Sequence, residues 1–216
     1  MKIGIIGSGE MGQALGIAFL KEGHEVMLGT RDVRKVAVVK WKETNVGGLT
    51  GTFDAVASFG ELIVLSTAGA VANQAILAAG LDNLKGKLII DTTNPISPSK
   101  PPVNGVLQLF TEANSSLMET LQRTAPAAKF VKCFNSVGSA LVYKPAFADG
   151  KPSMFICGND AEARQAVTAI LTSFGWETED MGTALSAGAI ESLSILWCIP
   201  GFLNNNWSHA FKLLKS

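Results

Sequence analysis

The N-terminus combines a short apolar strand, a glycine-rich turn and a helical pattern, and this combination constrains the fold most. Residues 2–6 are mostly apolar, and Leu15, Phe19 and Leu20 have helical spacing. Between them lie Gly7, Ser8, Gly9, Glu10, Met11 and Gly12. In such a G-x-G-x-x-G, the glycines allow a tight turn, close approach of a pyrophosphate and close helix–strand packing. The helix N-terminus adds free N–H groups and a positive dipole. We therefore predict dinucleotide binding; the alternative is a βα turn without a ligand.

Short apolar runs alternate with helical patterns along the rest of the chain, which indicates a parallel sheet covered on both faces. The predicted strands are 2–6, 25–29, 49–52, 62–66, 87–91, 130–134, 153–157 and 176–180. The predicted helices are 10–22, 33–43, 70–80, 116–124, 161–173 and 185–212, the last broken near Pro200. Gly23 is expected to end the first helix, Ser116 with Glu119 to cap the fourth, and Asp160 to cap the fifth. The predicted fold is α/β: a Rossmann-type, doubly wound, mostly parallel sheet with a small C-terminal helical extension. Residues 1–145 form the predicted binding core, and residues 146–216 complete the same compact unit.

Charge and composition exclude several classes of protein. The 216 residues include 18 Lys plus Arg and 18 Asp plus Glu, so the formal net charge is 0, and only three residues are Cys. We expect no nucleic-acid partner, no disulfide framework and no metal site. The uncharged run 62–81 has the length of a membrane span, but its polar residues indicate a strand, a turn and a helix instead. With no signal peptide visible, we expect a cytoplasmic protein without a membrane partner.

The tip of the second strand favours NADP over NAD. An NAD-binding protein usually places Asp or Glu there for the ribose hydroxyls. Here Thr30 and Arg31 follow the strand, and their hydroxyl and guanidinium groups suit a 2′-phosphate. Arg34 and Lys35 can neutralise the remaining charge. Asp32 is the exception, and we expect it to cap the next helix rather than bind ribose.

Polar residues also follow three later strands, at the edge of the sheet where dinucleotides bind. They are Ser66, Thr67 and Ala68, then Asn94 and Pro95, then Asn135 and Ser136. Each could be an ordinary loop-capping residue. As a group at strand ends they are better explained as a cofactor cleft, with Asn135 and Ser136 lining its nicotinamide end.

No side chain stands out as a proton donor, so the catalytic residues remain unknown. His24 lies at the opposite edge of the sheet, His209 has no predicted carboxylate partner, and Tyr143 lacks the lysine of a Y-x-x-x-K pair. Glu191 and Asp180 are the remaining acids near the predicted cleft, and Glu191 is equally well explained as a cap or a surface residue. Hydride transfer between stacked rings needs mainly proximity and orientation, so these observations favour a flavin or deazaflavin as the hydride partner.

Motifs along nearly the whole chain resemble the coenzyme F420-dependent NADP oxidoreductase family. They are IGIIGSGEMGQALG, GTRD, VKCFNSVGSAL, MFICGNDAEA and WETEDMGTALSAGAIESL. The resemblance implies hydride exchange between NADPH and a second redox cofactor, F420 or a flavin. It places NADP contacts on Ser8, Gly9, Met11, Thr30, Arg31, Lys35, Ser66 and Thr67, and nicotinamide contacts near Asn94, Pro95, Asn135 and Ser136. It also implies a homodimer through the C-terminal helices. Asn135 departs from the family, because the archaeal F420 enzymes have His there.

Two alternative functions stay open at this point. One is an NADPH-dependent reductase of a small imine or carbonyl, with Tyr143 or a loop hydroxyl as proton donor. The other is a non-catalytic NADPH-binding sensor. Related domains also occur in membrane-anchored ferric reductases, and without a membrane span we expect this chain not to carry out that complete pathway.

Overall fold

The computed structural model describes residues 1–215 and contains eight strands and eight α-helices. The strands are β1 (Lys2–Ile6), β2 (Glu25–Gly29), β3 (Gly48–Gly51), β4 (Leu62–Leu65), β5 (Leu88–Asp91), β6 (Lys129–Lys132), β7 (Ser153–Ile156) and β8 (Glu177–Asp180). The helices are α1 (Glu10–Lys21), α2 (Val36–Thr44), α3 (Phe53–Phe59), α4 (Gly69–Ala79), α5 (Leu81–Leu84), α6 (Leu117–Thr124), α7 (Ala161–Ser173) and α8 (Ala187–Asn204).

The six strands β1–β6 form one parallel sheet in the order β3-β2-β1-β4-β5-β6. The chain leaves β1 toward one side of the sheet and returns at β4 to build the other side. A crevice therefore opens at the carboxyl ends of β1 and β4, where open α/β sheets bind their ligands. The predicted Rossmann-type fold is confirmed.

The core lies on both faces of this sheet because its strands are apolar at successive positions. On one face, Leu15 and Phe19 of α1 pack with Val167 and Leu171 of α7. On the other face, α3, α4 and α6 pack against residues such as Ile63. Burial on both faces explains why the strand sequences are continuously apolar instead of alternating.

Local signals placed most element boundaries within a few residues. The left-handed Gly23 (φ +81°) follows α1, Ser116 Oγ accepts a hydrogen bond from Glu119 N at the start of α6, and Asp160 Oδ1 accepts one from Ala163 N at the start of α7. These three predicted caps are confirmed. The run 62–81 contains β4, a turn and α4, also as predicted.

Three expectations about the elements were wrong. Helices α3 and α5 were not predicted, because each is too short for a clear helical period. The last helix does not break at Pro200: α8 continues to Asn204 and ends at the left-handed Asn205 (φ +51°). Pro200 removes one backbone N–H from the helix, and α8 continues through it for one further turn. Residues 205–212 are not helical.

The two last strands pair with each other in a separate parallel sheet. A single antiparallel bridge between Lys132 and Cys157 links that sheet to β6. The division of the chain into residues 1–145 and 146–216 stays a prediction.

One helical segment, Ala184–Asn204, is long and apolar enough to cross a membrane by its length and composition. A third of its most apolar window (33%) is buried inside the protein. Core helices of soluble proteins pass the same test of length and composition. This segment lies outside the uncharged run 62–81, and the expected cytoplasmic location stays a prediction.

Candidate functional site

The glycine-rich turn between β1 and α1 is shaped by three glycines with different surroundings. Gly7 has φ +125°, and a Cβ there would overlap the Ser66 carbonyl oxygen. A Cβ on Gly12 would overlap the carbonyl oxygen of Gly7. At Gly9, the residue preceding α1, a Cβ would meet no atom within 4 Å among residues 1–215. Gly7 and Gly12 are therefore required by the fold, whereas the space above Gly9 is open to a ligand.

The start of α1 adds hydrogen-bond donors to this open space. Gly9 has no side chain that could cap the helix, so N–H groups of the first turn remain available. The positive end of the helix dipole lies at the same place. Glu10 is exposed in this turn, while Gln13 Nε2 donates to the Ser8 carbonyl oxygen and helps to hold the turn. This arrangement suits a pyrophosphate.

Beyond β2, the chain makes a tight turn that presents positive charge. Asp32 N donates to Thr30 Oγ1 at 3.2 Å, and Asp32 Oδ1 accepts from Arg34 N at 2.9 Å. Asp32 therefore stabilises the turn before α2, and the expectation that it caps the helix was wrong, because the residue preceding α2 is Lys35. The Arg34 side chain, 90% exposed, also faces Asp32. Arg31 remains beside the crevice with an exposed side chain.

A cavity of about 460 Å³ lies between these two turns. It is lined by Gly7, Ser8, Gly9, Thr30, Arg31, Asp32, Lys35, Phe53, Ser66, Thr67, Ala68, Val71, Gln74, Ala75 and Ala78. Nine of the predicted cofactor-binding residues belong to this lining. The sequence analysis missed Phe53, which begins the unpredicted α3, and the α4 face that carries Val71, Gln74 and Ala78. The helical spacing of that face, directly after Ser66–Ala68, was the available signal.

The lining suits the anionic groups of a dinucleotide phosphate. The side chains of Arg31 and Lys35 bring two positive charges, against one negative charge from Asp32. The hydroxyl Oγ1 of Thr67 is buried and has no hydrogen-bond partner within the described part of the chain. A buried hydroxyl without a partner is unfavourable, and a bound ligand can supply the missing hydrogen bond.

The other eight predicted residues lie elsewhere. Glu10, Met11 and Gly12 are in the first turn of α1, and Arg34, which contacts the lining residue Asp32, is not itself part of the lining. Asn94, Pro95, Asn135 and Ser136 follow β5 and β6. Asn94 lies next to α4, because a Cβ on Gly69, the first residue of that helix, would overlap the carbonyl oxygen of Asn94. We call the region of these four residues the ring end, and the region around Gly9 and Arg31 the phosphate end, after the parts of the dinucleotide expected there.

Hydrogen bonds of two asparagine side chains join the segments of the ring end. Asn94 Nδ2 donates to the Asn135 carbonyl oxygen at 2.6 Å, and Asn135 Nδ2 donates to Asn94 Oδ1 at 3.0 Å. Asn135 Nδ2 also donates to the Ile190 carbonyl oxygen in α8 at 2.8 Å. These contacts join residues that are more than forty positions apart, so no local pattern in the sequence could have indicated them.

Several titratable side chains outside the ring end are engaged with other partners or deeply buried. Tyr143 Oη donates to Glu22 Oε1 at 2.7 Å, beyond the C-terminal end of α1 and at the edge of the sheet opposite the crevice. The His209 ring stacks on Trp197, and its Nε2 lies 2.9 Å from the Trp197 carbonyl oxygen. Asp180 pairs with Arg164 at 2.9 Å. Burial raises the pKa of Cys157 to about 12, so this thiol stays protonated and unreactive.

Glu191 caps the start of α6, so the expectation of a cap is confirmed and that of a surface position is wrong. It is fully buried in α8, and its carboxylate accepts hydrogen bonds from Leu117 N and Met118 N at the start of α6. It also lies 2.9 Å from the ammonium of Lys132, a buried residue that the sequence analysis did not single out. A lysine in a strand can be placed on the surface or in the core, and only the tertiary structure decides between them.

Fold, turn and cavity together define a Rossmann-type dinucleotide-binding protein, and comparisons with known proteins specify the family. A family model described as NADP oxidoreductase, coenzyme F420-dependent, matches residues 2–95. A crystal structure from Arthrobacter sp. FB24, reported as a candidate F420-dependent NADP reductase, is 32% identical and covers 100% of both chains with a TM-score of 0.92. The chain belongs to the coenzyme F420-dependent NADP oxidoreductase family, as its motifs indicated.

Two curated relatives extend the comparison. The F420-dependent NADP reductase of Methanothermobacter thermautotrophicus is 31% identical over 102 residues, which are 44% of each protein. Metalloreductase STEAP3 of Rattus norvegicus is 27% identical over 206 residues, which are 94% of this chain and 39% of that protein. The chain therefore spans about two fifths of the length of this metalloreductase.

Proposed function

We propose that this oxidoreductase transfers hydride between NADPH and a flavin or deazaflavin, with coenzyme F420 as the first candidate. When bound, NADPH supplies a hydride, and a fused conjugated ring accepts it together with one proton from water. The observation that carries the proposal is the composition of the ring end. Its polar groups are the amides of Asn94 and Asn135, which are hydrogen-bonded to each other, together with the hydroxyl of Ser136.

The proposed cofactor orientation follows from the two ends of the crevice. The phosphate end would hold the pyrophosphate on the turn from Gly7 to Gly12. It would hold the 2′-phosphate against Arg31, Thr30 and Lys35, with Ser66, Thr67 and Ala68 along the opposite wall. The nicotinamide would then lie at the ring end, near Asn94, Pro95, Asn135 and Ser136. This side of the crevice is the carboxyl edge of β5 and β6.

A ring acceptor fits this site better than a small imine or carbonyl does. Reducing an isolated carbonyl or imine requires a positioned proton donor. Tyr143, one of the two donors considered for that role, is bound to Glu22 at the opposite edge of the sheet. The other is a loop hydroxyl, and Ser136 supplies one at the ring end, whereas a ring acceptor needs mainly proximity and stacking from the protein.

A flavin that passes electrons onward to a metal ion is a second candidate acceptor. It is supported by the metalloreductase relative, which aligns over 94% of this chain.

The experiment is a turnover assay with NADPH and one acceptor at a time. F420, FMN and FAD are each supplied, with and without a ferric chelate, while the near-ultraviolet absorbance of NADPH is followed. We expect oxidation that depends on one ring acceptor and is much slower with NADH. Oxidation of NADPH by a panel of imines or carbonyls, with none of the three rings active, would contradict the proposal.

We also propose that two copies associate through α8. Its exposed apolar residues include Leu196, Phe202 and Leu203, whose side chains are about half exposed, and Val106 lies on the loop that packs near Leu203. Apolar surface of this kind is typical of protein interfaces. Light scattering after size-exclusion chromatography should give twice the mass of one chain, and Leu203→Glu should reduce it to one.

A further inference from the structure

A cluster of three charged side chains lies fully buried beneath the ring end. Lys132 is the last residue of β6, Asp91 is the last residue of β5, and Glu191 belongs to α8. The Lys132 ammonium is 2.7 Å from Asp91 Oδ2 and 2.9 Å from Glu191 Oε1. It also donates a hydrogen bond of 2.8 Å to the Thr93 carbonyl oxygen. We call these three residues the buried charge cluster.

The cluster is held by partners on every side. Asp91 Oδ1 accepts hydrogen bonds from Thr93 N at 2.9 Å and Thr93 Oγ1 at 2.7 Å. Both oxygens of Glu191 accept backbone N–H groups at the positive end of α6, each at 3.0 Å. Burial alone would lower the pKa of Lys132, but the two carboxylates raise it, so the ammonium stays charged.

Stability alone gives a poor reason for such a cluster. Removing three charges from water is unfavourable, and well-packed apolar side chains can often replace buried ion pairs without loss of stability. A more direct reason is specific geometry, because charged groups fix the position of whatever they bind more narrowly than apolar contacts do. The relevant question is therefore what the cluster holds.

The cluster holds both partners of the asparagine pair at the ring end. Asp91 and Lys132 together fix the backbone N–H, hydroxyl and carbonyl of Thr93, the residue directly before Asn94. Glu191 anchors α8 next to Ile190, whose carbonyl oxygen accepts from Asn135 Nδ2. Phe134, between Lys132 and Asn135, is buried with φ +57°, a conformation that persists only when the surroundings enforce it.

We propose that Lys132, Asp91 and Glu191 are positioning residues that set the geometry of Asn94 and Asn135 and thereby orient the nicotinamide ring. This inference rests on the proposed function, which places the ring at this end of the crevice. The cluster touches neither cofactor nor acceptor. It acts through Thr93 and Ile190, and it links β5, β6, α6 and α8 into one rigid wall of the site.

The test compares two ligands that share the phosphate end of the site. 2′,5′-ADP carries the adenine and the 2′-phosphate but no nicotinamide, whereas NADPH carries all three. Their affinities for wild type, Lys132→Met and Lys129→Met are measured by calorimetry, and the fluorescence of bound NADPH reports the surroundings of the ring. Lys129→Met is the matched control, because Lys129 is also in β6 but pairs with Asp160 in a partly exposed ion pair.

We expect Lys132→Met to bind 2′,5′-ADP within about twofold of wild type, as for distant independent sites. The ratio of the affinity for NADPH to that for 2′,5′-ADP should fall about tenfold or more, since small misplacements of a bound group have large effects. The fluorescence change on NADPH binding should disappear in Lys132→Met and persist in Lys129→Met. Equal weakening of both ligands would indicate general destabilisation and overturn the inference, as would an unchanged fluorescence response.

A second variant covers the case in which Lys132→Met does not fold. Glu191→Gln keeps the side-chain shape and should also weaken NADPH more than 2′,5′-ADP, with a smaller effect. An unchanged NADPH fluorescence response in Glu191→Gln overturns the inference.

Two further outcomes separate this inference from the proposed function. If wild type binds NADPH without any fluorescence change, the ring does not lie at this end, and the inference fails. If the binding pattern appears but no ring acceptor is reduced, the inference stands and the proposed acceptor is wrong.

Discussion

The two ends of the crevice are built in different ways. At the phosphate end, contacts join residues close in sequence, such as Asp32 with Thr30 two positions away and Gln13 with Ser8 five positions away. At the ring end, the hydrogen bonds join residues 41 positions apart (Asn94 and Asn135) and 74 positions apart (Leu117 and Glu191). The phosphate end is open and partly exposed, whereas the ring end rests on buried charges. One end depends on local backbone geometry and the other on the assembled fold.

The largest expected effect is a loss of stability when the charges beneath the ring end are disrupted. Lys132→Met leaves two carboxylates buried without their cation, and such a change costs about 3–5 kcal/mol in the free energy of unfolding. Urea unfolding of the ligand-free protein measures this loss. Lys129→Met, in the same strand but at the protein surface, should unfold at nearly the same urea concentration as wild type. Similar midpoints for the two variants would show that the cluster does not stabilise this end.

The next largest effect distinguishes Gly7 from Gly9 at the phosphate end, in stability and in NADPH binding. Gly7→Ala combines a strained backbone with an overlap against Ser66, which together cost about 2–4 kcal/mol of stability. Gly9→Ala finds open space and costs at most about 1 kcal/mol, because alanine is a poorer N-cap. Gly9→Ala should nevertheless lose NADPH binding, since its methyl group occupies the place of the pyrophosphate. Normal NADPH binding by Gly9→Ala would show that the pyrophosphate does not lie on this turn.

A smaller effect concerns cofactor selectivity. Arg31→Ala should weaken NADPH more than NADH by about 1–3 kcal/mol, the contribution of a charge-assisted phosphate contact. Arg123→Ala is the matched control, because Arg123 is exposed on α6 and does not line the cavity, and it should change either affinity by less than about 0.5 kcal/mol. Fluorescence titrations with both cofactors measure the difference. Equal losses of affinity for NADPH and NADH in Arg31→Ala would show that Arg31 does not contact the 2′-phosphate.

The smallest effect is expected at Tyr143, which lies outside both ends. The hydrogen bond from Tyr143 lowers the pKa of the Glu22 carboxyl, and Tyr143→Phe removes this hydrogen bond. We expect an unchanged kcat with any active acceptor, because the phenol is remote from the crevice. A steady-state assay at several pH values is the measurement. Loss of kcat without loss of folding would restore Tyr143 as a proton donor.

The same contrast explains what the sequence could predict. The Gly7–Gly12 turn, the charged tip after β2 and the caps at Ser116 and Asp160 each depend on a few consecutive residues, so pattern and spacing were enough. The family and the NADP cofactor followed from those motifs and are confirmed. The predicted contacts of individual residues with NADP stay predictions.

The rest of the site depends on contacts that only the folded chain creates. Glu191 was equally compatible with a cap and a surface position, and Lys132 gave no signal, because the two meet only when α8 packs over β6. Phe53 was missed because α3 is too short for a clear helical period. Pro200 predicted a break, but α8 continues through it to Asn204. These errors arise from tertiary packing, which a local pattern does not encode.

Direct hydride transfer to a ring is the central claim, and isotope transfer tests it most directly. NADPH deuterated on one or the other face of its reactive carbon is incubated with the protein and F420, and the reduced F420 is analysed by mass spectrometry. Because deazaflavins carry the transferred hydrogen on carbon, the label does not exchange with water. We predict that deuterium from one face alone appears in reduced F420. Reduced F420 without deuterium from either face, or a failure of NADPH to reduce F420 or any flavin, would contradict the account.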